Sequence, residues 1–514
     1  MPSTAIPKIT EFEEQNTQPV WVVPSRFPLG KGPKQFVDFQ NDTSVSDIVV
    51  AAKESFHSIE HIKRYTLLGF GTDQGKLSNV NGIAILAQVL QRDMGSIGTT
   101  RFRPAYTPVT FGALAGRDVG VLADPVRKTA IHEWHERAGA VFENVGQWKR
   151  PWYFPQRGED IHAAVGRECL AVQQSVGVLD ASTLGKIEVR GPDAAEFLNR
   201  VYTNDKAGLK IGRCSYGLML GEDGMVFDDG VTARLAENHF WLTTTTGGAA
   251  RVMTWLERWL QTEWPDLKVY LTSVTDHFAT LSINGPKSRA LVSELSEGID
   301  FSGAAFPFMS FREGKFAGVP ARIFRISFSG ELAYEVYVPS NYARFVWDTL
   351  FAVGRTHDIT PYGTETMHVL RADKGYIIVG QDTDGSLTPV DLGMKWIVSK
   401  NKDFLGKRSL SRTDTIRPGR KQLIGLLTED PNKVLPEGGQ IIAEPRSNPP
   451  MPMLGHVTSS YFSARVGRSI ALAVMKGGQN RLGDSVCIAS TRGVTKATVV
   501  KPVFYDPEGK LQNV

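Results

Sequence analysis

Apolar residues recur at helical spacing in the first hundred residues of the chain. Capping side chains in Thr43–Asp47 precede a first predicted helix, and two more are predicted at residues 58–65 and 82–92. Residues 93–125 are rich in Gly and Pro. That composition predicts a long linker or a binding loop after the helices.

The middle of the chain contains an internal repeat. Residues 186–201 and residues 280–295 each show the pattern of a strand, a Gly-Pro pair and a helix, and the two Gly-Pro pairs lie 94 positions apart. Proline suits the first turn of a helix, where its missing N–H costs nothing. A further amphipathic helix is predicted between the repeats, at Val252–Leu260. These patterns predict two related α+β halves packed together.

The helical pattern stops after about Arg417. Six short apolar runs follow, separated by Gly and Pro turns, which predicts a small antiparallel β-barrel. The fold class is therefore α+β, with two related halves, a C-terminal barrel and a small N-terminal helical segment. The expected divisions are an extended arm, a helical segment with its linker, a central domain and the barrel, at residues 1–34, 35–125, 126–417 and 418–514.

Composition and charge narrow the class of protein. The 514 residues are 41% apolar and 22% charged, close to the globular average, which excludes a disordered or collagenous chain. The net charge of +4 is too small over this length to indicate a nucleic-acid or membrane surface. We therefore expect neither nucleic acid nor membrane among the partners.

The three cysteines lie far apart in the chain. Cys169, Cys214 and Cys487 have no paired spacing, so they fit free thiols in a reducing compartment better than disulfides or a thiolate metal site. The first 20 residues have no apolar core typical of a signal peptide, and no run reaches 18 apolar residues. A cytoplasmic location is expected.

Two motifs resemble well-known sites but fail their requirements. Gly69–Gly75 reads GxGxxxG, not GxGxxG, and follows a helical segment where a dinucleotide-binding loop needs a strand. His132–Glu136 places its histidines three positions apart, whereas the HExxH metal site needs four. Surface histidines on a helix are the better interpretation, and no metal site is expected.

An Asp-Asp pair, a glutamate within a strand and a run of threonines are the strongest candidates for chemistry. Asp228 and Asp229 precede a glycine, which is typical of a solvated turn, although a carboxylate at a strand end can also face a cleft. Glu335 lies in an alternating strand, where it needs donors: either a flat heterocycle with adjacent N–H groups or a partner such as Arg325. Thr243–Thr246 fits either a plain turn or a ligand contact.

From about Glu143 to its end the chain resembles the folate-dependent aminomethyltransferases, the T-protein family of glycine cleavage. It is more similar still to the folate-binding half of the alpha subunits of heterotetrameric sarcosine oxidases. The resemblance extends to a helical segment at residues 35–116, so it covers nearly the whole chain. The matching segments in the folate-binding part are Gly146–Tyr153, Gly177–Ser182, Val189–Pro192, Asp223–Asp229, Ser329–Glu335 and Thr388–Gly393.

The resemblance implies roles for four residues. Asp229 matches the catalytic aspartate placed by the folate nitrogens that exchange the one-carbon unit, and Glu335 matches the glutamate that holds the pterin ring. Thr244 and Tyr216 fall at positions that line the folate site. One position departs from the glycine-cleavage pattern, since Met367 stands where those enzymes have a folate-binding arginine. This departure favours the oxidase branch of the family.

The resemblance further implies a tetrahydrofolate-binding subunit of a sarcosine oxidase-type complex. The expected reaction is oxidative demethylation of sarcosine or a related N-methyl amino acid, with capture of the carbon as 5,10-methylenetetrahydrofolate. The expected partners are a beta-type flavoprotein subunit with FMN at its interface, small subunits, and a separate subunit for the nicotinamide-binding half that this sequence lacks. Two alternatives stay open: a stand-alone aminomethyltransferase of glycine-cleavage type, and a non-catalytic assembly subunit.

Overall fold

The computed structural model describes residues 18–103, 106–117, 120, 125–445, 450–491 and 493–514. Two compact units divide the chain, Met1–Asp124 and Pro125–Val514. The candidate site lies within the second unit.

The first unit is a small helical body, as predicted. The Asp47 carboxylate accepts the N–H of Ser44 at 2.8 Å, which caps the first helix at its N-terminus. Gly69–Gly75 lies in turns between two helices, not after a strand. The elements are β1 (Phe36–Asp38), β2 (Thr43–Ser44), α1 (Val45–Lys53), α2 (Ile59–Thr66), α3 (Asn79–Leu90), a 3₁₀ turn (Met94–Ile97) and α4 (Phe111–Ala115).

The second unit opens with a helix, a hairpin and a helix that lead into the first sheet strand. These are α5 (His132–Arg137), β3 (Val141–Val145), β4 (Trp148–Tyr153), α6 (Ile161–Gln174) and β5 (Val176–Asp180). The prediction of surface histidines on α5 is wrong. His132 is 5% and His135 is 1% exposed, and His135 Nε2 lies 3.1 Å from Asp180 Oδ2. The rings of Phe154 and Trp347 pack around His135, on the side of the helix that faces the core.

The two α+β halves follow. The first half continues with β6 (Gly185–Arg190), α7 (Ala194–Val201), β7 (Cys214–Leu220), β8 (Val226–Ala236), β9 (His239–Thr244) and α8 (Ala249–Thr262). The second contains β10 (Tyr270–Ser273), β11 (Phe278–Asn284), α9 (Ser288–Leu295), β12 (Ser296–Glu297), β13 (Ser310–Phe316), β14 (Val319–Arg325), β15 (Ala333–Pro339), α10 (Ala343–Gly354) and β16 (Ile359–Pro361). The repeat predicted from the Gly-Pro pairs is confirmed.

The halves exchange their first strands. One sheet has the order β10-β6-β9-β8-β7, and the other has the order β12-β13-β14-β15-β11-β5-β16. Strand β5 precedes the first half in the chain but pairs with β11, while β10 precedes the second half but pairs with β6. Each sheet therefore contains a strand from the other repeat, which ties the two halves into one body.

The glycines of the two Gly-Pro pairs have the same role in both halves. Gly191 and Gly285 have φ of +128° and +122°, and each proline lies just before the helix cap. An added Cβ would lie 2.1 Å from the Lys268 carbonyl oxygen at Gly191, and 2.4 Å from the Val172 carbonyl oxygen at Gly285. These carbonyls belong to the segments that lead into β10 and β5, so glycine permits the close approach of each exchanged strand.

The C-terminal part contains α11 (Thr364–Asp373), α12 (Thr413–Ile416) and a closed six-stranded barrel. The barrel strands are β17 (Lys421–Thr428), β18 (Gln440–Ile442), β19 (Met453–Ser463), β20 (Arg468–Lys476), β21 (Ser485–Ser490) and β22 (Gly493–Val500). The predicted barrel is confirmed. Arg371 on α11, fully buried, bonds to Asp382 and to the hydroxyl of Ser459 on β19, which fixes the barrel against the central domain.

Candidate functional site

A cavity of about 1510 Å³ lies inside the second unit. Both halves, the region of α11 and the barrel contribute to its wall. Its volume exceeds that of an ordinary small-molecule pocket, so it can hold an extended ligand with room for a second, smaller one. The structure brings all four predicted site residues to this cavity: Tyr216, Asp229, Thr244 and Glu335.

Asp229 lies in the middle of β8, where it faces the cavity. The interpretation of Asp228-Asp229 as a solvated turn is wrong, because β8 continues for seven residues beyond Asp229 to Ala236. The neighbouring strand β7 carries Tyr216, whose hydroxyl donates to Asp229 Oδ2 at 2.7 Å. Burial raises the pKa of Asp229 to about 6, although the Tyr216 hydrogen bond acts to lower it. Near neutral pH this carboxyl can therefore hold or release a proton.

Asp228, the preceding residue, also lines the cavity and was not predicted as a site residue. It is 2% exposed, and burial followed by the charge of Asp229 raises its pKa to about 7. The sequence signal was present in the Asp-Asp pair, but only the strand's burial shows that both groups face away from bulk water.

The threonine run ends β9 beside the two aspartates. Thr244 is 3% exposed, and its hydroxyl donates to the Thr245 carbonyl oxygen at 3.0 Å. Gly185, its partner across the strand pair, allows this packing, since an added Cβ would lie 2.0 Å from the Thr244 hydroxyl oxygen. Thr246 bonds to Thr183 at 3.0 Å between hydroxyls. The run therefore forms an ordered, hydroxyl-rich part of the cavity wall.

Glu335 lies on β15, between β14 and β11. The Tyr337 hydroxyl donates to its Oε2 at 2.5 Å, and Oε1 has no hydrogen-bond partner within the described part of the chain. Burial raises the pKa of Glu335, while Tyr337 and the charge of Lys186 act to lower it. Arg325, the predicted alternative partner, instead donates to the Phe306 carbonyl oxygen at 2.7 Å. One oxygen of Glu335 is thus available to a ligand.

Lys186 is a buried cation near Glu335 that sequence reasoning missed. Its side chain is fully buried, and Nζ donates to the carbonyl oxygens of Ser182 and Leu184 at 2.8 and 2.9 Å. Burial lowers its pKa to about 8, although the charges of Asp180, Asp276 and Glu335 act to raise it. The charge of Lys186, on a strand of the other sheet, therefore favours the ionised form of Glu335.

The cavity wall near α11 is partly apolar. Met367 lines it beside His368, at the position where the predicted departure from the glycine-cleavage pattern lies. Phe328 and Tyr376 stack nearby with a ring separation of 6.1 Å. The apolar side chain of Met367 supplies packing surface but no hydrogen-bond donor. It therefore cannot make the hydrogen bonds to a ligand that an arginine at this position would make.

No group of three or more His, Cys, Asp or Glu side chains that could hold a metal ion occurs among the described residues. Within those same ranges, no helix has both the length and the apolar character needed to cross a bilayer. The three cysteines are free thiols, with Cys169 and Cys214 buried.

Family models match three parts of the chain. The GCVT N-terminal domain matches residues 131–402, the sarcosine oxidase A3 domain matches residues 32–117, and the glycine cleavage T-protein C-terminal barrel domain matches residues 421–506. The first of these covers more than half of the chain and contains all four predicted site residues.

Individual relatives agree with this division. The sarcosine oxidase subunit alpha of Corynebacterium sp. (strain P-1) is 53% identical over 99% of this chain, which spans 53% of that relative. The aminomethyltransferase of Thermotoga maritima is 28% identical, covering 74% of this chain and 98% of the relative. The chain therefore spans about half the length of the sarcosine oxidase subunits that it matches and nearly all of the aminomethyltransferase.

A solved structure shows the same fold. The glycine cleavage system aminomethyltransferase T of Bartonella henselae superposes with a TM-score of 0.65, at 24% identity, over 74% of this chain and 99% of its own. The matches to the GCVT domain and to the T-protein barrel domain lead to the same conclusion as this likeness in fold. The chain belongs to the aminomethyltransferase family that includes the T-protein of glycine cleavage, in the form found in sarcosine oxidase alpha subunits.

Proposed function

We propose that this chain is the tetrahydrofolate-binding subunit of a sarcosine oxidase-type complex. In the proposed reaction a flavin in a partner subunit oxidises an N-methyl amino acid to an iminium ion. The carbon is then transferred to tetrahydrofolate in the cavity, which yields 5,10-methylenetetrahydrofolate and the demethylated amino acid. The observation that carries the proposal is the placement of Asp229 and Glu335, two half-buried carboxyls, in one large cavity.

The cavity residues fit a folate. A pterin ring presents adjacent N–H groups, and Glu335 offers an unoccupied oxygen, with the other already held by Tyr337. Parallel N–H donors would stabilise the ionised carboxylate and so offset the burial that raises its pKa. Phe328, Tyr376 and Met367 supply the apolar surface that a flat ring needs. The residues that would hold the pterin therefore belong to the second half and to the region of α11.

Asp229 would act on the one-carbon unit from the first half. As a carboxylate it stabilises a nearby iminium cation, and with a pKa of about 6 it can take up the proton released when the folate nitrogen attacks. The Tyr216 hydroxyl holds Asp229 in one orientation. Water would hydrolyse the same cation to formaldehyde, so enclosure of the cavity by both halves and the barrel favours transfer over hydrolysis.

The partners follow from the proposed reaction. Oxidation of the amine requires a flavin, which we assign to a beta-type subunit, with FMN at its interface with this chain, accompanied by small subunits. The free thiols of Cys169, Cys214 and Cys487 support a cytoplasmic complex. Met367 speaks against a stand-alone enzyme of glycine-cleavage type, because it brings no arginine to the cavity.

The product of the assembled complex tests the proposal. Asp229→Asn should leave amine oxidation largely intact and lower the yield of 5,10-methylenetetrahydrofolate by at least about a hundredfold, with formaldehyde in its place, as expected for loss of a general base. Asp223→Asn is a matched control, since Asp223 is exposed and lies outside the cavity wall. Equal loss of oxidation and capture by a folded Asp229 variant would overturn the assignment.

A further inference from the structure

Two charged side chains of the cavity wall are not needed for the folate contacts described above. Arg150 on β4 is 7% exposed, yet its guanidinium makes no hydrogen bond or ion pair to any described residue. Its Nε is fully buried without a partner. Burial lowers the pKa of Arg150, and the charges of Glu143 and Asp180 oppose that effect. A buried cation without a partner is costly, so its presence points to a ligand.

Glu143 faces Arg150 across the hairpin. The two residues are register partners of β3 and β4, and both line the cavity. Glu143 Oε1 is also buried without a hydrogen-bond partner. No hydrogen bond satisfies the buried Nε of Arg150 or the buried Oε1 of Glu143, so the two side chains act on each other only through their charges. A gap bordered by one cation and one anion, both unsatisfied, therefore opens into the cavity.

Asp180, the other acid near Arg150, is already satisfied. Its Oδ2 accepts from Thr129 at 2.6 Å and lies 3.1 Å from His135, and its Oδ1 accepts the N–H of Ser182 at 3.0 Å. Burial acts to raise the pKa of Asp180, but these hydrogen bonds keep it below its usual value. Asp180 therefore supplies a fixed background charge and leaves the direct contacts of Arg150 to a ligand.

We propose that Arg150 and Glu143 form a subsite for the zwitterion of an α-amino acid. Its carboxylate would bind the Arg150 guanidinium, and its ammonium or methylated ammonium would bind Glu143. This inference rests on the proposed function and assigns the residues of this chain that would hold the amino-acid part of its substrate and product. The demethylated product carries the same two charges, so it would occupy the same subsite after transfer.

A folate alone does not satisfy both groups. Its glutamate carboxylates could pair with Arg150, but they carry no cation for Glu143, whose buried oxygen would stay unpaired. A zwitterion pairs with both side chains and adds no net charge to the subsite. An amino-acid zwitterion therefore complements both charges of the gap, whereas an anion complements only the charge of Arg150.

Ligand-observed NMR titration of the purified chain with glycine and N-methylglycine tests the subsite. Acetate and methylamine, each with only one of the two charges, serve as probes of the pairing. Arg150→Met and Glu143→Gln keep the side-chain volume while removing one charge each. Lys149→Met is the matched control, because Lys149 is the next cation on β4 and does not line the cavity. Tetrahydrofolate affinity is measured for every variant by calorimetry.

We expect both amino acids to bind the natural chain at least about tenfold more tightly than acetate or methylamine. Each subsite variant should lose at least about tenfold in amino-acid affinity, and tetrahydrofolate affinity should change by less than about twofold. Lys149→Met should change neither. Absence of amino-acid binding, or unchanged binding in both variants, would overturn the subsite. A parallel fall in folate affinity would reassign Arg150 to the folate and also overturn it.

The two proposals fail separately in this experiment. If the natural chain binds no tetrahydrofolate, the proposed function is wrong, whatever the amino-acid result. If folate binds but glycine and N-methylglycine do not, only the subsite is wrong.

Discussion

The two halves place different side chains at the same position of a shared fold. Strands β9 and β15 correspond through the 94-residue repeat, and Trp241 stands in the first half where Glu335 stands in the second. Trp241 is fully buried and contacts the Tyr337 ring edge-on, at 5.4 Å between centroids. The hydroxyl of Tyr337 in turn donates to Glu335. One half therefore uses the position for packing, and the other uses it for a buried charge.

On the neighbouring strands β8 and β14, the first half has the carboxyl group and the second half has the apolar residue. Asp229 on β8 corresponds to Ile323 on β14, which is fully buried in the apolar core of the second half. Of the two predicted site carboxyls, Asp229 and Glu335, each half thus contributes one, from a different strand, and has an apolar residue in place of the other. The repeat explains the shape of the cavity, but the chemistry comes from the positions at which the halves differ.

Removing the packing residue should cause the largest loss of stability. Trp241→Ala is expected to lower the free energy of unfolding by about 3–5 kcal/mol, because it deletes a fully buried aromatic side chain. Glu335→Gln keeps the shape of its side chain and should cost much less. Urea unfolding followed by far-ultraviolet circular dichroism compares the two. A similar loss in both variants would mean that the two positions have the same structural role.

For the two glycines that contact the exchanged strands, we predict a smaller loss of stability that is similar in both halves. Gly191→Ala and Gly285→Ala should each destabilise the protein by about 1–3 kcal/mol, because both combine positive φ with a close backbone carbonyl. Gly212→Ala and Gly298→Ala are controls with positive φ but no atom within 4 Å of the added Cβ. Thermal unfolding of the four variants separates the two causes. If Gly191→Ala and Gly285→Ala lose no more stability than the two control variants, the close approach of the exchanged strands does not contribute to stability.

The smallest predicted effect is a shift in pH dependence. Asp229 with a pKa of about 6 is ionised above that pH, so capture of the carbon should fall as the pH drops through about 6. Tyr216→Phe removes a hydrogen bond that lowers this pKa, so the midpoint should rise by about 0.4–1 pH unit, the net value of one hydrogen bond. Product ratios of the assembled complex between pH 5 and pH 8 measure the shift. A downward shift would contradict the role of Tyr216.

The sequence predicted the fold where local patterns and global packing agree. The Gly-Pro pairs located both repeats, because each pair lies between a strand and an amphipathic helix. The six apolar runs located the barrel strands. The exchange of β5 and β10 was not predictable, since periodicity identifies a strand but does not tell which sheet it joins.

The candidate site was predicted in part. Asp229, Tyr216, Thr244 and Glu335 were named from the family resemblance, and all of them line one cavity. Lys186 and Arg150 were missed, because a single cation in a strand has no periodic signal and becomes informative only when its burial is known. The burial of His135 was missed for the same reason: its partner Asp180 lies 45 positions away.

Titration of tetrahydrofolate into the purified chain tests the central claim most directly. Glu335→Ala should bind it about 2–4 kcal/mol more weakly than the natural chain, or about 30- to 700-fold, the range for breaking a buried charge-assisted pair. Glu313→Ala, which removes an exposed carboxylate of the same sheet, should bind it normally. Circular dichroism confirms that each variant is folded. A folded Glu335→Ala chain with unchanged affinity for tetrahydrofolate would contradict the account.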